Sequence, residues 1–426
     1  EFIYPGTTRL FFGENGLGVS FFMAFFVVGL GEELYKYLVL VFYAYRRPNF
    51  NEPFVQVQNS KLNISAQINP LKDLTIDLNA ERNYSNNLSE NYQVQDLNYI
   101  ALNTNEYGNF GISTILIKTA FSGGTDIINK NFTNFRENRL IIANRLAAQS
   151  GTSLTNRDEN GFPEGFSKNH QTVLTASFIS AYSGTNPDKI SFDPIQGMPL
   201  PNWNLKYTGL TRIKSLAKIF NRFSLTHGYR SSYTLTNYQT NLEYDSNQPL
   251  VKDPVGNYMT SKFYSNINLA EQFNPLIRLD VEFKNSLKIL AEIKRDRSLS
   301  LSLDNSLLTE QSGNEYILGM GYRLKDLRIR TNLGGRRVSL SGDLNLKADF
   351  SFRENITLLR NLEYDNNQVT AGQTLMSIKF SANYNLSKNL TSILFYDHNF
   401  SEFAISTAFP QTSIRSGITI RYNFGN

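Results

Sequence analysis

Three histidines, His170, His227 and His398, are the side chains whose ordinary pKa lies nearest neutrality, and each stands in a separate segment. Acyl-transfer or hydrolytic chemistry built on any of them needs a nucleophile or a carboxylate within hydrogen-bond reach. His227, in "SLTHGYRSSY", has hydroxyls nearby. Asp397 directly precedes His398, but neighbours in a strand point to opposite faces. The plainer reading is three lumen or loop histidines, and no enzyme is expected.

Other chemistry-bearing stretches are equally sparse. "NRDENGFPEG" gathers Asp158, Glu159 and Glu164 with Asn and Gly, hard oxygen donors of the kind calcium takes, but the spacing misses the EF-hand pattern. A solvated surface loop is the reading that fits it better. "GGRR" at 334–337 lacks Walker spacing and reads as a turn between strands. With no cysteine in the chain, disulfides and thiolate metal sites are excluded. No cofactor and no metal are expected.

These residues sit on a scaffold whose pattern is clearer than its chemistry. In "DLNLKADFSFRENIT" Leu344, Leu346, Ala348, Phe350 and Phe352 alternate with Asn345, Lys347, Asp349, Ser351 and Arg353. The same period of two runs through "KLNISAQI" and "DLTIDLNA", which a turn at 69–73 joins into a hairpin, and through "SIKFSANYNL", where Lys379 falls on the polar phase. Arg328 and Arg330 oppose Leu327 and Ile329 likewise. Strands are also expected at "FGISTILIKTAF", "TVLTASFISAY", "IRLDVEF", "LKILAEI" and "YILGMGYRL". In the last of these Gly319 and Gly321 share one face, marking a bend or a close backbone approach. The composition agrees, with 31 Phe and 23 Tyr against 1 Trp among 426 residues. At roughly 10 residues per spanning strand the chain holds about 14 to 18 strands, with very little left for helix.

Two regions depart from this grammar. Residues 1–50 include "SFFMAFFVVGLG", apolar on every face but stopped by Glu32 and Glu33 short of the ~20 residues a spanning helix needs. Strands or a short interfacial helix fit it, and it stays unassigned. Residues from about 122 to 170 form an inserted loop, in which "NFRENRLIIANRLAAQ", 134–149, lacks Gly and Pro and predicts a short helix. A chain that opens on Glu1 without Met is expected to be a mature product or a piece of something longer.

Alternation alone fits a soluble sandwich or a membrane barrel. Strongly polar inward phases, short turns alternating with long loops, and the final strand favour the barrel. That strand, "IRSGITIRYNFGN", puts Ile414, Ile418, Ile420, Tyr422 and Phe424 in one phase, resembling an outer-membrane assembly signal. The expected fold is therefore all-β, an antiparallel transmembrane β-barrel in the cell outer membrane, with 51–426 as its strands and long extracellular loops. The net charge of +5 is scattered without a basic block, so no nucleic-acid partner is expected. Trp203, behind Pro199 and Pro201 in "PLPNWNLKYTG" with Tyr207, reads as an interfacial aromatic or as a contact point for a partner.

Several stretches together resemble one family. "MPLPNWNLKYTGLTRI", "FSLTHGYRSSYTLTNYQTNLEY", "RDRSLSLSLDNSLLTEQSGNEYILGMGYRLKDLRI" and "FPQTSIRSGITIRYNF" are similar to the C-terminal part of the SprA (Sov) family, outer-membrane translocons of the type 9 secretion system in Bacteroidota. The resemblance covers about 51–426. It implies that this chain is a multi-strand portion of a very large barrel that exports folded cargo proteins carrying a C-terminal signal domain. It also implies a PorV-like barrel at a lateral gate, a periplasmic plug protein and the lipid bilayer as partners. Arg328, Arg330, Asn345, Lys347, Asp349, Arg353 and Lys379 are then candidates to line the lumen. An ordinary porin or nutrient-transporter barrel, a barrel enzyme and a surface-exposed structural β-protein remain the alternatives.

Overall fold

The computed structural model describes residues 29–39, 51–95, 98–121, 129–195, 197–333, 336–364, 366–385, 389–405 and 409–424. Two compact units are distinguished, one comprising Glu1–Gln58 with Asn86–Tyr107 and the other Asn59–Ser85 with Gly108–Asn426. In the smaller unit a helix, α1 (Gly29–Val39), carries a Lys36–Glu33 pair at 2.9 Å. The ring of Phe54 there meets Tyr92 edge to face at 5.0 Å. The remainder of the region read as apolar, and the Gly334-Gly335 turn, lie outside the described residues.

The strands are β1 (Asn51–Leu71), β2 (Leu74–Gln95), β3 (Asn98–Ser113), β4 (Asn202–Tyr207), β5 (Phe220–Thr240), β6 (Lys262–Tyr264) and β7 (Asn266–Phe283). They continue as β8 (Leu287–Ser302), β9 (Leu307–Leu333), β10 (Arg336–Asn361), β11 (Asn367–Asn385), β12 (Leu390–Phe403) and β13 (Gln411–Tyr422). Together they make one large, mostly antiparallel sheet of 13 strands, with the path β1-β2-β3-β5-β7-β8-β9-β10-β11-β12-β13. Short β4 pairs with β2 and β5, and β6 with β5. Period-two runs become strands that neighbour their sequence neighbours, because short turns bring antiparallel partners together at the least loop cost. The first hairpin turns through two residues, Lys72 and Asp73, with Asp73 at φ 69°. Thirteen described strands are fewer than the 14 to 18 expected.

Among the described residues, part of the difference lies in the stretch between β3 and β4. There β3 ends at Ser113 rather than running on through "TILIKTAF", and a 3-10 turn at Ile117–Thr119 follows. Helix α2 (Lys130–Gln149) covers the stretch read as helical, and turns Phe132, Phe135, Ile142, Ala143 and Leu146 inward at helical spacing. Helix α3 (Gln171–Ser183) corrects the strand expected at "TVLTASFISAY". Val173, Leu174, Ala176, Ser177, Phe178, Ser180, Ala181 and Tyr182 are all buried, so α3 is enclosed on every side and shows no helical period in its sequence. Its ends are marked by the His170 side chain, which accepts from the Thr172 amide, and by Gly184 at φ 67°, where the left-handed backbone suits glycine. A fourth helix, α4 (Lys214–Ala217), is a single turn before β5.

The two long helices dock onto one end of the sheet. Phe132, Phe135, Leu174, Phe178 and Tyr182 share a core with Phe110 and Ile112 of β3, Tyr233 and Leu235 of β5, Ile267 and Leu269 of β7, Leu299 and Leu301 of β8, and Leu308 of β9. Two buried ion pairs rise from the sheet into this contact. Arg297 pairs with Glu271 at 3.0 Å and donates to the Thr119 carbonyl at 3.0 Å, the side chains being 6% and 3% exposed. Arg360 pairs with Glu310 at 3.0 Å, at 0% and 5% exposure; Asn129 reaches the same carboxylate, and Phe132 of α2 lies 5.0 Å from the guanidinium. The β5–β6 loop clasps the insert from the far side, where Ser167 N–H donates to Asn257 and Phe166 packs edge to face on Tyr258.

Candidate functional site: a charge-paired polar face

Register assigns every strand residue to one of two faces. On β10, Leu344, Leu346, Ala348, Phe350 and Phe352 sit opposite Leu324, Tyr322, Met320, Leu318 and Tyr316 of β9 and opposite Tyr384, Ala382, Phe380, Ile378 and Met376 of β11. The phase continues through Leu394 and Tyr396 of β12 to Ile414, Ile418, Ile420 and Tyr422 of β13. Away from the helical insert this apolar face is open. Tyr316, Leu318, Met320, Phe350, Ile378, Phe380, Leu394, Tyr396, Ile414, Ile418, Ile420 and Tyr422 are all exposed, Ile418 and Ile420 to 69%. Twelve such side chains, each about half covered, leave roughly 10 kcal/mol of unrealised burial. A contiguous patch of that kind calls for a cover.

The opposite phase is charged, and its charges meet. Arg222 of β5 reaches Asp280 of β7 at 3.0 Å, Arg278 reaches Asp280 at 3.5 Å and Glu292 of β8 at 3.4 Å. Lys294 then bridges Glu292 at 3.8 Å and Glu315 of β9 at 3.5 Å. Arg353 of β10 closes the series on Glu315 at 3.4 Å and Asp296 at 2.9 Å. The run crosses five strands with four cations and four anions, a net charge of zero. A second row lies farther along the sheet, where Asp349, Lys379, Asp397 and Arg415 stand in register on β10, β11, β12 and β13. Within it Lys347 pairs with Asp349 at 2.8 Å and Arg415 with Asp397 at 2.7 Å. Gly319 makes room here, since a Cβ at that position meets the Asp349 carboxylate at 3.0 Å.

All seven polar candidates fall on this face. Asn345 lies opposite Arg323 and Asn383; Lys347, Asp349, Arg353 and Lys379 belong to the rows just described. A bulge at Lys325–Asp326, with Asp326 at φ 50°, keeps Arg328 and Arg330 in the same phase, opposite Ser341 and Ser339. Sequence reading missed Arg222, Arg278, Asp280, Glu292, Lys294, Asp296 and Glu315. The phase of Arg278, Asp280, Glu292, Lys294 and Asp296 in "IRLDVEF" and "LKILAEIKRD" is legible, but only register shows that these residues meet.

The remaining candidates lie elsewhere. Trp203 and Tyr207 are on the apolar face, opposite Leu78 and Leu74, and Trp203 is half-buried and stacked on Tyr229 at 4.5 Å. Pro199 is buried and Pro201 half-buried in the approach to β4, where Leu200 N–H donates to Ser113. Phe424, past the end of β13, packs edge to face on Tyr422 at 4.7 Å. The histidines are dispersed: His227 donates from Nδ1 to the Leu276 carbonyl, His398 lies on the apolar face opposite Ile378 and Ile414, and Asp397 faces the other way toward Arg415. His170 is buried at the start of α3, and desolvation pushes its pKa down to about 4. In the acidic loop, Asp158 accepts from the amides of Asn160 and Phe162, and Glu164 pairs with Lys252. Among the described residues no three His, Asp or Glu side chains are grouped to hold a metal ion.

No family model matches this chain, and no curated protein matches it. A solved structure that does match is OmpT, an outer membrane protein of Vibrio cholerae, in-vitro folded and in trimer form. The match covers 88% of this chain and 99% of that one at 8% identity, with a TM-score of 0.21. A likeness of that degree fixes neither fold nor function.

Proposed function

We propose that this sheet is a portion of a transmembrane β-barrel of the outer membrane, with its apolar face against lipid and its charge-paired face lining an aqueous passage for polar macromolecules. The observation that carries the reading is the open apolar phase backed by a charge-paired one. A soluble sandwich covers its apolar phase with a second sheet, whereas a barrel leaves that phase to the bilayer and keeps the polar phase wet. The resemblance to the SprA family narrows the passage to protein export. On that reading the chain is part of the translocon of the type 9 secretion system, working with a PorV-like barrel, a periplasmic plug protein and cargo bearing a C-terminal signal domain. The reading assigns transport and no catalytic step.

The chain has no cysteine, so single-cysteine spin labels report one site each. In reconstituted protein, labels at Ile378→Cys, Phe380→Cys and Leu394→Cys should be relaxed by oxygen dissolved in lipid. Labels at Ser377→Cys, Ser381→Cys and Asn383→Cys should be relaxed by an aqueous nickel chelate. Equal aqueous access on both phases sinks the membrane placement. For the translocon, the protein purified from native outer membranes should come as a chain several times longer than this one, together with a smaller barrel. A lone chain of 48.5 kDa overturns that assignment.

A further inference from the structure

The β9–β10 hairpin outruns its neighbours. Its last pairs to flanking strands are Leu287↔Tyr322 with β8 and Leu344↔Tyr384 with β11. Beyond them, six pairs from Arg328↔Ser341 to Leu333↔Arg336 join β9 and β10 only to each other. At about 3.4 Å per residue this is a ribbon projecting roughly 20 Å past the short-turn end of the sheet. It begins at the bulge where Asp343 is already taken, by Arg323 and by the Asp326 amide.

The charges on this ribbon are unlike those of the two paired rows. From residue 327 to 342 the sequence carries Arg328, Arg330, Arg336 and Arg337 and no Asp or Glu. Arg328 and Arg330 are exposed, lie opposite serines, and have no ion-pair partner among the described residues. Elsewhere on this face Arg222, Arg278, Lys294, Arg353, Lys347 and Arg415 each meet a carboxylate. Uncompensated cations on a projecting two-stranded ribbon give a local positive potential that the self-neutralised rows cannot cancel at their distance.

We infer that the projecting β9–β10 ribbon is a docking element for an acidic protein segment on the short-turn side of the sheet, with Arg328 and Arg330 as its contact residues. Anionic lipid is the other chemistry that fits such cations. The phase argues against it: Arg328 and Arg330 share the polar face, whereas the proposed lipid contact is the opposite one. That choice of side rests on the placement proposed above. Extended backbone with alternate charged side chains suits a segment carrying clustered carboxylates, each guanidinium taking one in bidentate fashion.

The test uses the full native chain in phosphatidylcholine nanodiscs and a fluorescent oligoglutamate peptide as probe. Wild type should bind the peptide in low salt, and Arg328→Gln/Arg330→Gln should weaken binding about tenfold, a difference that shrinks as salt is raised. Arg415→Gln, which breaks a paired charge on the same face, should leave binding unchanged. No binding by wild type, or equal binding by the double variant, overturns the docking element. So does loss of peptide binding on adding phosphatidylglycerol to the discs, which assigns the arginines to lipid headgroups. The spin-label pattern is read independently: correct alternation without peptide binding removes the docking element alone, and failed alternation removes the membrane placement.

Discussion

Replacing Glu310 by Gln tests whether the buried ion pairs hold the helical insert to the sheet. Glu310 and Arg360 lie 3.0 Å apart at 5% and 0% exposure, so neither charge has water to fall back on. Gln keeps the shape and can still accept from Asn129, 3.2 Å away. It deprives Arg360 of its carboxylate in a site walled by Phe132. Removing one member of a buried pair costs about 3–5 kcal/mol, because the surviving charge is left desolvated. A cost of about 4 kcal/mol raises the population of the open insert about a thousandfold. Amide exchange along α2 should accelerate by that factor, while amides of β12 and β13, remote from the contact, keep their protection. Glu310→Gln/Arg360→Met removes both charges, fills the space with an adaptable apolar chain and should recover most of the loss. Unchanged exchange in the single variant, or a double variant no better than the single, refutes the latch.

Three further outcomes are expected. His170 accepts from Thr172 N–H at Nδ1 and donates from Nε2 to the Tyr258 carbonyl, an arrangement only the neutral ring can make. Its folded pKa of about 4 lies below the ordinary 6.5. The unfolded chain therefore binds the proton more readily: this stabilisation is complete above pH ~6.5 and declines through pH ~4, by about 3 kcal/mol in all. Urea titrations of wild type and His170→Asn, which retains a capping group, should converge as pH falls through that window; parallel pH profiles discard the assignment. Gly342→Ala drives a Cβ into the Asn385 carbonyl oxygen, so the β10–β11 contact must shift. A loss of about 1–3 kcal/mol in denaturant midpoint should follow, and an unperturbed midpoint shows that the strands do not approach there. Finally, Asp349→Asn/Asp397→Asn leaves Lys347, Lys379 and Arg415 uncompensated on the polar face. Planar-bilayer reversal potentials should move toward anion selectivity, and no movement removes this face from the conducting path.

The sheet was legible because period-two alternation survives wherever one phase is wet and the other is not. That contrast places Lys347, Asp349, Arg353 and Lys379 on one face before any register is known. It fails at α3, where enclosure by α2 and the sheet removes the polar phase, and Val173, Thr175, Phe178 and Ser180 are buried alike. A run of small and apolar residues between a helix-capping His and a Gly was the signal available there. The ion pairs were illegible for a different reason. Arg278 and Glu292, or Arg353 and Asp296, are brought together by strand register, and register depends on turn length and on bulges such as the one at Lys325–Asp326.

Stability does not explain why the polar face pairs its charges so thoroughly. Each exposed pair contributes about 0–1 kcal/mol, and serines or asparagines would keep the face equally wet. Its electrical effect is larger. A wall of one sign attracts and retains solutes of the other, whereas alternating signs a few ångströms apart cancel within about a Debye length, ~8 Å in physiological salt. Such a wall is strongly hydrated and nearly fieldless at a distance. Under the proposed placement it lets polar macromolecules of either net charge slide by without holding them. Recognition must then come from positions where the cancellation is broken, and Arg328 and Arg330, exposed opposite Ser341 and Ser339 on the projecting ribbon, are such positions. The β9–β10 hairpin thus carries both properties along its length: neutral passage where it is flanked by other strands, and uncompensated charge where it extends beyond them.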